Sequence, residues 1–170
     1  MLGLLVGKHS TPIDDWFVRN AGDAVGRSVH WLLIFTEWWL LVPVLAACLG
    51  VALYRRRWRL AAAVLACPLA AIEIVWLLKP IFDREKGGTL SYPSGHTTVM
   101  VTILGMAVLI AGCRVWAVLA AVTASLLGMF GLGLTYHFLT DTIGAAMFAT
   151  AMVCIAARVA RPPRRLYNAR

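Results

Sequence analysis

Two histidines, one carboxylate and three cations stand out in a chain otherwise poor in reactive groups. His137 and Asp141 lie four residues apart in Thr135-Tyr136-His137-Phe138-Leu139-Thr140-Asp141. On a helix that spacing puts both on one face. A carboxylate beside an imidazole fixes its tautomer and leaves the other ring nitrogen free as a base, a metal ligand or a nucleophile. His96 follows Tyr92-Pro93-Ser94-Gly95. Pro93 cannot continue a helix from upstream, Ser94 is a good N-cap, and Gly95 lets a ligand come close to the backbone. The first amides of such a helix point outward, unpaired, with the positive end of its dipole behind them. That is a ready anion site.

Lys79, Arg84 and Lys86 precede this turn. The chain has only three lysines against thirteen arginines, and two of the lysines are here. Clustered cations beside a helix N-terminus are what a phosphate group needs. Asp83 and Glu85 stand among them as partners for the unliganded state. Together these groups make a phosphoryl-transfer site. Lys79 and Arg84, with Lys86 beside them, neutralise phosphate oxygens, and amides from Ser94 and Gly95 to His96 add hydrogen bonds. His137 attacks phosphorus, Asp141 stabilises the charged imidazole, and His96 protonates the leaving oxygen and then activates water. One hard hydrolysis becomes two easier steps, with acid and nucleophile on opposite sides of the phosphate.

The elements that must hold these groups are membrane helices. The 170 residues are 61% hydrophobic and 14% charged, where soluble domains carry about a quarter charged residues. The apolar residues gather into runs of spanning length. The spacing predicts an all-α polytopic bundle with five spans, about Trp31–Tyr54, Leu60–Leu78, Ser94–Cys113, Val115–Thr135 and Thr142–Ala157. Five spans cannot close a barrel. Residues 1–30 predict an amphipathic helix on the membrane surface, starting near Thr11 or Asp14. The whole chain reads as one domain, with the catalytic core at about 60–157. The basic tail after Arg158 is expected to be surface-bound or disordered, and no cleavable signal peptide is expected.

The links set the orientation. Ten basic residues, at 55–57, 59, 114, 158, 161, 164, 165 and 170, fall on one side, against six on the other. By the positive-inside rule the first side is cytoplasmic. The loops 79–93 and 136–141, which hold nearly all the polar chemistry, then face the extracytoplasmic side. The same topology accounts for the net charge of +8 and removes the argument for a nucleic-acid partner. Cys48, Cys67, Cys113 and Cys154 lie in or beside apolar runs without a CxxC pair, so no disulfide framework is implied. Glycines such as Gly105, Gly112, Gly128, Gly131, Gly133 and Gly144 are expected to let helices approach closely. Glu37 and Glu73 are expected as neutral, buried acids between helices, and the tryptophans as interfacial belts.

The chain resembles the type 2 phosphatidic acid phosphatase superfamily of membrane lipid phosphatases. That family has three motifs: lysine-six residues-arginine-proline, then PSGH, then serine-arginine-five residues-histidine-three residues-aspartate. Pro93, Ser94, Gly95 and His96 match the second completely. His137 and Asp141 match the third, and Lys79 the first. Arg84 fits an extra arginine that many members carry. Lys86 stands where the first motif has arginine and Gly87 where it has proline. Gly131 and Phe130 replace the third motif's arginine and serine. One phosphate-binding arginine is therefore missing, with Arg84 and Lys86 left to compensate. The resemblance covers about residues 60 to 157. It implies metal-independent hydrolysis of a lipid phosphate monoester or diphosphate through a phosphohistidine, with no cofactor. The expected substrates are a polyprenyl diphosphate, a polyprenyl-phosphosugar phosphate or a phosphatidyl phosphate, in the plasma (inner) membrane of a bacterial cell envelope. Three alternatives remain: a phosphotransferase on the same site, a non-catalytic transporter or assembly subunit, and a metal site built from His96, His137 and Asp141.

Overall fold

In the computed structural model, which describes residues 6–26 and 29–161 and all their side chains except those of 23–25, Thr11 starts the first helix. Helix α1 (Pro12–Val25) has Thr11 as N-cap and Asp14 at N3 in a reciprocal capping box, with Pro12 in the first turn. It falls within residues 1–30, the stretch expected to hold a surface helix. Asp14 and Phe17 are buried, while Ile13, Trp16 and Val18 are exposed. Arg27 and the tail from residue 162 lie outside the described residues.

The expected first span is interrupted. A helical turn α2 (Val29–Leu32) runs into a 3-10 turn (Leu33–Thr36), and helix α3 (Trp38–Tyr54) follows only after Glu37 turns extended. The Thr36 hydroxyl donates to the Leu33 carbonyl at 2.7 Å, which closes the turn. Glu37 therefore sits at the start of α3, as its N-cap. Glu73 is exposed on the outer face of helix α4 (Trp58–Phe82), so the expectation of a glutamate buried between helices is corrected there. Helix α4 also runs four residues past Leu78, which puts Lys79 in its last turn rather than in a loop.

A minimal antiparallel hairpin follows, β1 (Glu85–Lys86) and β2 (Thr89–Leu90). Gly87 and Gly88 form its two-residue turn, both at positive φ, the conformation that such a tight hairpin demands. Helices α5 (Gly95–Ile110), α6 (Val115–Leu134) and α7 (Leu139–Ala160) complete the chain. Among the described residues, four helical stretches are long and apolar enough to cross a membrane: Val29–Tyr54, Trp58–Phe82, Val115–Leu134 and Leu139–Ala160. Helix α5, read from the sequence as a further span, is shorter. Its 16 residues reach about 24 Å at 1.5 Å per residue, because Ala111, Gly112 and Cys113 turn the chain.

Helix α5 is the axis of the bundle and packs against α3, α4, α6 and α7. Its core contacts include Met100 and Ile103 with Leu41, and Met106 with Cys48, Val64 and Cys67. The hydroxyls of Thr98 and Thr102 return to the carbonyls four residues back, so these buried polar groups are satisfied within the helix. All four cysteines are free; Cys48 and Cys67 are buried in helices, Cys154 is exposed on α7, and Cys113 is exposed in the turn after α5. Trp31, Trp58 and Trp116 are exposed.

Gly131 is one point where helix packing leaves no room for a side chain. A Cβ there would stand 2.8 Å from the Leu32 Cβ and 3.2 Å from the Leu32 carbonyl carbon. The segment before α3 crosses α6 at this spot, and Phe130 beside it packs edge-on against Phe17 of α1, with ring centroids 5.0 Å apart. Gly112 is different: it has open space around it and a φ of 74°, so it serves the turn after α5 rather than packing. Gly131→Arg is expected to lower stability by about 1–3 kcal/mol, the cost of overpacking. It should also expose the α1–α2 region to limited proteolysis. Unchanged stability and an unchanged cleavage pattern would show that the contact is loose.

Candidate functional site

The expected groups come from four places in the chain. Lys79 ends α4, Lys86 lies on the hairpin, Gly95 and His96 open α5, and His137 lies in the link between α6 and α7. The hairpin folds over so that the Lys86 ammonium donates to the His137 carbonyl at 2.6 Å. Lys79 donates to the Leu90 carbonyl at 2.7 Å and lies over the Trp76 ring. The link is shaped by the end of α6. The His137 amide bonds back to the Leu132 carbonyl at 3.0 Å, and the Thr135 hydroxyl donates to the Gly131 carbonyl at 2.8 Å. At the start of α5 the Ser94 hydroxyl accepts from the Thr97 amide, as an N-cap should. The Gly95 and His96 amides precede the first intrahelical bond.

These residues border one cleft of about 920 Å³. Lys79, Lys86, Gly95, His96 and His137 line its polar part, and residues such as Trp38, Leu41, Ile72 and Ile103 line the rest. Trp38 and Trp76 thus border a groove while remaining exposed. The rings of His96 and His137 are 6.2 Å apart between centroids. His96 is open to solvent, whereas His137 is only 8% exposed. Burial, reinforced by the nearby His96 and Lys79, pushes the His137 imidazole down to a pKa of about 4. Its ring is therefore neutral through the physiological range. Burial also pushes the Lys86 ammonium below its ordinary value, against the pull of Asp141 and Asp14.

Three of the expected site residues have other places. Asp141 does not orient His137. The helix that would put them on one face begins only at Leu139, so His137 lies outside it. The His137 Nδ1 instead faces the Ser91 carbonyl at 3.1 Å. Asp141 receives Arg84 at 2.6 Å and the Phe138 amide at 3.1 Å. Arg84, expected at the phosphate, is 1% exposed and turned away from the cleft. Its guanidinium also donates to the Thr140 hydroxyl at 2.8 Å, to the His9 carbonyl at 2.9 Å and to Asp14 at 2.9 Å. Ser94 is fully buried as a cap and does not reach the cleft. Asp83, expected to pair within its own cluster, instead meets Lys8 on the surface.

Asp14 is the residue that sequence reasoning missed. It lies 70 positions before Arg84 and 126 before Thr140, whose amide and hydroxyl both donate to it at 2.9 Å. Burial acts to raise its pKa, but hydrogen bonds from Thr140 and Thr11 outweigh that and hold it below the usual carboxylate value. It is thus an ionised partner that ties α1 to the start of α7. No sequence signal distinguishes this role from helix capping, which Asp14 also performs.

The residues can hold an anion. The two lysines and the α5 amides supply positive charge, and the two imidazoles lie beside them. A metal centre is less well served. Among the described residues no group of three or more His, Cys, Asp or Glu side chains is arranged to hold a metal ion, and Asp141 is engaged by Arg84 rather than by the histidines. Compared with known proteins, the chain matches no protein-family model, and neither a curated protein nor a solved structure shows significant similarity to it.

Proposed function

We propose that the chain is an integral membrane lipid phosphatase that hydrolyses a phosphate monoester or diphosphate of a lipid, as the resemblance to the type 2 phosphatidic acid phosphatases implies. The observation that carries this reading is the single cleft shared by His96, His137, Lys79 and Lys86 and continued by apolar walls. An amphiphile with an anionic head fits both halves of such a cleft. The lipid phosphate sits between the two imidazoles, with Lys79, Lys86 and the α5 amides on its oxygens.

His137 acts as nucleophile. Its Nδ1–H donates to the Ser91 carbonyl, which leaves the Nε2 lone pair free. Attack forms the N–P bond and breaks the P–O bond to the lipid, and His96 delivers a proton to the departing oxygen. Water, deprotonated by His96, then attacks phosphorus and releases phosphate and His137. Here the Ser91 carbonyl takes the orienting role expected of Asp141. Five membrane passes, with α5 as the sheltered one, and an extracytoplasmic cleft belong to this proposal. The orientation rests on the arginine-rich links at the other end of the bundle.

The test is phosphate release by purified protein in detergent with a chelator present. The panel is polyprenyl diphosphate, a prenyl-phosphoribose phosphate, phosphatidate and phosphatidylglycerol phosphate. Release from one or more establishes the class. Release only when an acceptor lipid is added, with phosphate found on that lipid, would replace hydrolysis by phosphotransfer.

The pH profile supplies a second check. A nucleophile must be unprotonated, and His137 stays so down to about pH 4. The acid limb of kcat/KM assigned to it should therefore fall near pH 4, not near the ordinary histidine value of about 6.5. A limb at 6.5 that persists in His96→Gln would mean that the nucleophile is not a buried, neutral imidazole.

A further inference from the structure

We propose that a second cleft, at the opposite end of the bundle, binds the phosphate headgroup of an anionic phospholipid. Helix α4 separates the two ends: its 25 residues span about 37 Å, with Lys79 near one end and Arg57 and Arg59 at the other. The second cleft has a volume of about 610 Å³ and is lined by Arg56, Arg57, Arg59 and Arg161 together with apolar residues that include Leu60 and Leu109.

Charge pairing differs between the two ends. Near the first cleft, Lys8, Lys79, Arg84 and Lys86 each have a hydrogen-bond partner. Among the described residues, the four arginines of the second cleft have no side-chain hydrogen bond or ion pair to the protein. Arg55, their neighbour, is tied to the Ile110 carbonyl at 3.2 Å, so the geometry of this end does permit partners. Acid is also missing: segments 50–60, 108–118 and 152–161, which build this end, contain no Asp or Glu. Residues 162–170 add three arginines and no acid, so the continuing chain carries the same sign and is not a complementary occupant.

The start of α4 adds to this charge. Its N-cap is Arg57, with no side-chain cap, so the first amides and the positive dipole end meet the same space. Four guanidiniums and an uncapped helix start call for a phosphate. The apolar lining, and the position of the cleft at the end of membrane-length helices, call for a lipid rather than a free ion. Basic links that merely set topology require neither a cleft nor an uncapped helix.

Full-length protein in neutral detergent would be titrated with phosphatidylglycerol, phosphatidylcholine and inorganic phosphate, with bound lipid counted by native mass spectrometry. Phosphatidylglycerol is expected to bind at least about tenfold more tightly than phosphatidylcholine, and millimolar inorganic phosphate should not displace it. The triple variant Arg56→Gln/Arg57→Gln/Arg59→Gln should lose at least about tenfold in phosphatidylglycerol affinity. Arg114→Gln/Arg158→Gln, which removes charge from the same end but outside the cleft, should stay within about threefold. Equal binding of the two lipids, equal losses in both variants, or full displacement by phosphate would each overturn the proposal. If the triple variant does not fold, Arg161→Gln, placed beyond the last helix, should still weaken binding about threefold, and no change would overturn it. The readout is binding, so its outcome is independent of whether the first cleft is a phosphatase site.

Discussion

Phosphate release is expected to fall by about 10³-fold or more in His137→Ala, to the level of the uncatalysed background. The reason lies in the order of bond changes. His137 forms the N–P bond, so its loss removes the two-step route rather than weakening it. His96→Ala should cost about 10²–10⁴-fold, because the departing lipid oxygen then leaves without its proton and water loses its base. An activated aryl phosphate, whose leaving group needs little protonation, should recover much of the rate of phosphoryl-enzyme formation in His96→Ala and none of it in His137→Ala. The decisive reading is single-turnover release with alkaline detergent-quench trapping of a phosphorylated enzyme, labile to acid and stable to base. Full activity of His137→Ala, or equal rescue of both variants by the aryl substrate, would remove His137 as nucleophile.

The second large effect belongs to stability. Arg84→Met is expected to destabilise the fold by about 3–5 kcal/mol, the cost of leaving buried charges without a partner. Arg84 bridges Asp14 and Asp141, and all three side chains are essentially sealed from solvent. Without the guanidinium, two carboxylates face each other across Thr140 with no cation between them. Asp14→Asn should be milder, because Arg84 keeps Asp141. A double-mutant cycle of Arg84→Met with Asp14→Leu, measured by unfolding in mixed micelles, should therefore show strong coupling. Near-additive losses would mean that the two residues stabilise the protein separately. Lys86→Gln provides the contrast. It should raise KM while leaving the unfolding transition nearly unchanged, because Lys86 faces the cleft and Arg84 does not. If Arg84→Met instead raised KM without affecting stability, Arg84 would be a phosphate ligand after all.

Gly131 and Phe130, which stand where the resembled family would carry arginine and serine, pack beside the Arg84 cluster's N-terminal partner. Gly131 and Phe130 lie against Leu32 and Phe17, in the same N-terminal region that supplies Asp14 to Arg84. An arginine at 131 would occupy the space through which that region packs. The N-terminal region thus both packs against Gly131 and supplies Asp14 to the buried Arg84, while Lys79 and Lys86 line the cleft.

Much of this was legible from residue order alone. Apolar runs longer than a bilayer's thickness can only be helices, so the all-α class and the approximate spans follow from hydropathy. Thr11 and Ser94 announce their helix starts because capping is a local exchange of hydrogen bonds within four residues. Lys79, Lys86, Gly95, His96 and His137 could be grouped because short links confine them to one end of the bundle. Only the tertiary structure decided the partners of the buried charges. The His137–Asp141 pairing assumed one continuous helix, and a start at Leu139 removes it. Arg84 finds Asp14 across 70 residues, and the Ser91 carbonyl finds His137 across 46. A spacing rule reaches one helical turn, whereas a buried charge takes whichever partner the packed chain brings within about 3 Å, and that partner is chosen by the whole fold.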